Sequence, residues 1–95
     1  MENGGKMSGP YKQTQINENC FERLFETNID DAELVWHRDK RTRFVTVLEG
    51  LGWEFQFDNQ LPKPIGPGST IHINKFSYHR LIKGSTPLKV RIVEL

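Results

Sequence analysis

Three histidines, His37, His72 and His79, are the side chains most able to bind a metal or move a proton. His37 shares its parity with Val35, which alternation places toward a core. His79 follows the turn Asn74 to Tyr78 and opens a strand whose inward parity includes Leu81. Two histidines on inward parities of separate strands can meet inside a small barrel. His72 alternates with Ile71 and Ile73 and is expected outside. Other chemistry is thinly represented. Glu49 and Asp58 are too isolated to argue as an acid/base pair. No serine sits in a nucleophile-elbow context, and Gly66-Pro67-Gly68 has no helix to open as a phosphate loop. Cys20, the single cysteine, reads as an inert small residue.

The elements that would carry these side chains are strands. Phe44 to Glu49 is β-branched and aromatic. Trp53, Phe55 and Phe57 alternate with Glu54 and Gln56, and Leu88, Val90 and Ile92 alternate with Lys89 and Arg91. Alternation repeated this often predicts an all-β domain of seven or eight short strands, a sandwich or barrel. Leu34 to Asp39 alternates too and is expected as a strand. Glu18 to Glu26 carries Phe21, Leu24 and Phe25 at helical spacing, yet reads better as strand. Gly50-Leu51-Gly52 is expected to close a hairpin. The Pro- and Gly-rich stretch from Pro62 to Gly68 is a stiff loop, and Gly84 to Pro87 is a turn. Residues 1–18 read as a flexible tail and 19–95 as one domain.

The predicted inward set is Val35, Val45, Val47, Trp53, Phe55, Phe57, Ile71, Ile73, Leu81, Leu88, Val90 and Ile92. Leu34, Trp36, Phe44 and Leu48 then face outward as one apolar patch, which predicts a homodimer or a cover formed by residues 16–25.

The chain has 95 residues, 36% hydrophobic and 26% charged, which is one small domain with a thin core. Thirteen basic and 12 acidic residues leave a formal charge of +1. Such a balance makes neither nucleic acid nor an anionic membrane a default partner. No apolar run approaches the roughly 20 residues of a membrane helix. A lone cysteine and the lack of a secretory segment are expected of a cytoplasmic protein.

The stretches His37 to Gly50 and Gly68 to Lys83 resemble the two signature motifs of the cupin superfamily. The first motif falls on His37, Asp39, Arg43 and Gly50, closed by Val47 to Gly50; the second falls on Gly68, Asn74, Phe76, His79 and Lys83. The resemblance covers about half the chain and implies a cupin-like jelly roll of about seven to nine antiparallel strands. It is nearest to small, functionally unassigned cupins of bacteria and phages. Of the family's four metal-ligand positions, this chain keeps His37 and His79, holds Asp39 where the family has a second histidine, and holds Arg43 where it has glutamate.

Two readings of these four residues stand open. In one, His37, Asp39 and His79 bind one divalent ion (Fe, Mn, Ni or Zn), and Arg43 faces an anionic group of the substrate. In the other, Arg43 repels a dication and pairs with Asp39, leaving a metal-free pocket of two neutral histidines. The corresponding functions are a cupin acting on a small polar molecule, a metal-free module binding or sensing a small anion, and a scaffold or interaction protein. Whether the chain is an enzyme is not fixed by its sequence. The expected ligand is a small polar or anionic molecule, held by Arg43, His37 and His79.

Overall fold

A computed structural model describes residues 11–27 and 34–95. The chain runs through β1 Tyr11–Asn17, β2 Cys20–Phe25, β3 Arg43–Glu49 and β4 Glu54–Phe57. It continues through β5 Lys63–Pro64, β6 Thr70–Ile73, β7 His79–Ile82 and β8 Leu88–Glu94. Five strands form one antiparallel sheet in the order β1-β2-β8-β3-β6, and three form a second in the order β5-β4-β7. Apolar side chains from both sheets make one core, including Phe21, Phe25, Val45, Val47, Ile73, Leu88, Val90 and Ile92 from the first and Phe55 from the second, with Trp53 just ahead of β4. Among the described residues no helix is long and apolar enough to cross a membrane.

Strand pairing turns the inward parities into rows. Phe21, Ile92, Val45 and Ile71 lie abreast across the five-stranded sheet, and Glu94, Arg43 and Ile73 lie abreast in the next inward row. One end of the barrel is therefore polar inside, and the candidate site lies there. Trp53 is 1% exposed, and its indole N–H donates to the Thr86 carbonyl at 2.6 Å, which removes the cost of burying that donor.

Of the predicted inward set, eight members are buried, and Phe57, Ile71 and Leu81 pack against the core while partly exposed. Val35 is the exception at 59% exposure, while Leu34, expected outside, packs on the core. The reason is local. The chain makes a helical turn at Leu34 and bends at Val35, so strand alternation does not extend back from His37.

The Gly50 to Gly52 turn is not a hairpin either, because β3 and β4 belong to different sheets. Gly52, with φ of +80°, takes the left-handed conformation that lets the chain cross between them. Residues 11–17, expected as tail, form an edge strand paired with β2; residues 1–10 lie outside the described residues. Residues 18–26 hold a strand, β2, as their sequence predicts, and its Phe21 and Phe25 are core residues absent from the predicted inward set. The expected outer patch does not exist as one surface. Leu34 is partly buried against the core, Trp36 lies next to His37 and under Arg80 of β7, and Phe44 and Leu48 lie on the five-stranded sheet.

Candidate metal and ligand site

His37 and His79 meet across an isolated antiparallel bridge. The His37 amide donates to the His79 carbonyl at 3.1 Å, and the His79 amide donates to the His37 carbonyl at 2.9 Å. Directly opposed residues send their side chains to the same face, and the two imidazole centroids are 4.3 Å apart at 62°. Each ring is oriented by a carbonyl two residues upstream. His37 Nδ1 lies 2.9 Å from the Val35 oxygen, and His79 Nδ1 lies 2.8 Å from the Ser77 oxygen. A carbonyl can only accept, so Nδ1 carries the proton in both rings and Nε2 is the atom presented to the site. This tautomer is assigned from the hydrogen-bond partners.

Asp39 comes from the loop that follows the bridge. That loop is pinned by the Phe76 amide, which donates to the Asp39 carbonyl at 2.7 Å. Asp39 Oδ2 is shut off from solvent and accepts no well-aligned hydrogen bond; it lies 3.2 Å from His79 Nε2 and 3.4 Å from Arg43 Nη1. Burial opposes ionisation of Asp39, but a hydrogen bond from His79 when its ring is cationic, with the charge of Arg43 and those of the protonated histidines, outweighs it and holds the carboxyl below the ordinary value of 3.8.

One candidate ligand atom from each of His37, Asp39 and His79 lies within 4.8 Å of the others. Ligand bonds of about 2.1 Å place neighbouring donors about 3 Å apart and opposed donors about 4 Å apart. The set is therefore close to the spacing that one ion needs, and the His79–Asp39 pair, at 3.2 Å, already has it.

Arg43 is the residue that puts an ion in question. Its principal partner is Glu94, which accepts from Nε and Nη2, each at 2.8 Å; the contact with Asp39 is longer. With neutral imidazoles, the charges of Arg43 and of Arg23, which borders the same cavity, are balanced by Glu94 and Asp39, so the guanidinium groups do not make the site cationic. Nothing singled out Glu94 beforehand, although it continues the inward parity of Leu88, Val90 and Ile92. Arg23 was missed in the same way. It shares the parity of Phe21 and Phe25 and is 8% exposed; Nε donates to Gln13 at 2.8 Å, and its guanidinium lies 4.1 Å from the Tyr11 ring centroid.

Beneath the polar cluster is an interior cavity of about 40 Å³, bordered by Asp39, His79, Arg43 and Arg23 and otherwise mostly by aliphatic and aromatic side chains. It has room for a few water-sized groups. His72 is outside, as expected, stacked on Phe44 with centroids 4.6 Å apart.

No family model matches the sequence, and no curated protein matches it. Solved structures do. A cupin-2 domain protein from Shewanella frigidimarina NCIMB 400 superposes with a TM-score of 0.66 at 19% identity, covering 95% of this chain and 83% of that one. A cupin domain from Bordetella pertussis Tohama I gives 0.62 at 16% identity, over 96% and 99% of the two chains. A DMSP lyase structure gives 0.67 at 16% identity over 79% of this chain, and this chain spans only 36% of that protein. Identities this low establish architecture and leave activity open. Matched along nearly its whole length, with eight antiparallel strands in two sheets among the described residues, the chain has the fold of a small cupin.

Proposed function

We propose that the chain is a small cupin that binds one divalent metal ion through His37 Nε2, Asp39 and His79 Nε2 and presents it to a small polar or anionic molecule. One observation carries this reading. Both imidazoles are held by backbone carbonyls at Nδ1, His79 Nε2 lies 3.2 Å from Asp39 Oδ2, and one ligand atom from each of His37, Asp39 and His79 lies within 4.8 Å of the others. That is the outer-shell arrangement by which proteins orient histidine ligands. Two nitrogens and one oxygen suit Fe(II), Mn, Ni or Zn, and such an ion supplies Lewis acidity or redox chemistry when bound. Arg43 holds its charge beside the cavity, steadied by Glu94, where it can attract an anionic group. Metal-free anion capture through Arg43 is the weaker alternative, because Glu94 already accepts from two of its three nitrogens.

Metal analysis of tag-free protein tests the reading. Close to one ion per chain is expected in the wild type and almost none in His37→Ala. Metal-free wild type, or unchanged metal content after the substitution, overturns it.

A further inference from the structure

The interior cavity is too small for the body of an organic ligand. A second concavity, of about 380 Å³, lies between β5 and β6, where the two sheets part. Its volume is in the range of small-molecule sites, which begins near 300 Å³. Phe55, Ile65 and Ile71 line both spaces, so the groove and the cavity share a wall. That wall leads to the polar cluster. The Phe57 and Phe55 rings meet edge to face at 4.9 Å between centroids, and Phe55 stacks on the His79 imidazole at 5.5 Å and 23°.

The groove has a polar rim. Gln60, Lys63, Ser69, Thr70 and His72 border it, with one lysine and no carboxylate among its lining residues. Lys63 is exposed, and its ammonium can reach over the apolar floor.

Resting on the reading of the barrel as a small-molecule site, we propose that the groove between β5 and β6 binds the body of the ligand. The ligand class is a small carboxylate carrying a ring or branched apolar group. The ring lies on Phe55, Phe57 and Ile71, and the carboxylate pairs with Lys63. Only a small group of such a ligand can enter the cavity toward His79 and Asp39. Lys63 and Ile71 are then specificity-determining residues outside the metal-ligand set.

Benzoate, with benzamide as its neutral counterpart, is a suitable probe for the metal-stripped full-length chain, followed by amide NMR. Saturable benzoate shifts are expected at Phe55, Phe57, Lys63 and Ile71. Benzamide should bind about fivefold more weakly, the scale of one exposed ion pair. Lys63→Gln should remove that preference while leaving benzamide binding unchanged, and Ile71→Trp should abolish binding of both probes. Amide spectra report whether each variant keeps the fold. If Ile71→Trp fails to fold, Ile71→Phe, a smaller filling of the same space, should weaken both probes together.

Shifts that do not saturate, or that centre on Arg38, Lys40 and Lys75, overturn the proposal. A preference for benzoate that survives Lys63→Gln also overturns it. Metal content is measured separately on the wild type. A wild type that binds no metal but keeps saturable benzoate binding would remove the metal reading alone, and the reverse result would remove the groove alone.

Discussion

Arg43 reaches Glu94 with two nitrogens at 2.8 Å and Asp39 with a third at 3.4 Å, so Glu94 sets how much positive charge the metal ligands feel. Glu94→Gln would remove the neutralising partner while keeping the shape. Divalent-metal affinity is expected to fall by about tenfold or more, measured by calorimetric titration; outer-shell changes of this kind cost about 10–100-fold. Unchanged affinity would mean that Arg43 is electrostatically irrelevant to the site. Asp39 makes a separate pH prediction. Its carboxyl is held below 3.8 in the folded chain, so it contributes stability that is present above the unfolded value and lost as pH falls through the folded one. In metal-free protein, the stability gap between wild type and Asp39→Asn should therefore be larger at pH 6 than at pH 3. Urea midpoints at the two pH values measure it, and an equal gap at both would contradict the assignment.

Residues 74–77 form the turn that presses on the Asp39 loop, and they contain a strained position. Phe76 has φ of +66° and is 53% exposed, at the place where the cupin motif has glycine. With no side chain to clash in that conformation, Phe76→Gly should be more stable than Phe76→Ala by about 1 kcal/mol, read from denaturant midpoints. Equal midpoints would show that the backbone shifts freely there. Element by element, the sequence was legible where side-chain burial follows strict alternation. Val45 and Val47, Trp53 and Phe55, and Leu88, Val90 and Ile92 fell inside as expected. It was not legible where a bend interrupts a strand-like pattern, as at Leu34 and Val35, nor where a short glycine turn changes sheets instead of reversing within one. In the site, the motif spacing pointed to His37, Asp39, Arg43 and His79. The Arg43–Glu94 pairing was missed because its partners are 51 residues apart, and only strand register makes them neighbours.

At the scale of the molecule, the two sheets enclose the polar end and divide the outer apolar residues. Trp36, 42% exposed, lies under the Arg80 guanidinium at 4.8 Å, whereas Phe44 lies on the five-stranded sheet beside His72 and Val93. For the expected homodimer we propose the face around Phe44, where Val93 lies abreast of it on the five-stranded sheet. Sedimentation at micromolar concentration is expected to show a dimer that Phe44→Ser dissociates and Trp36→Ser does not; a wild-type monomer would contradict this assembly. The metal site itself is tested most directly by the imidazole nitrogens of the metal-stripped chain. Long-range proton–nitrogen spectra should show His37 and His79 both protonated at Nδ1. Both Nε2 signals should move together and stop at one equivalent of Zn²⁺, with His72 unchanged. A ring protonated at Nε2 in its neutral form, or Nε2 signals that do not respond to one equivalent, would contradict the account.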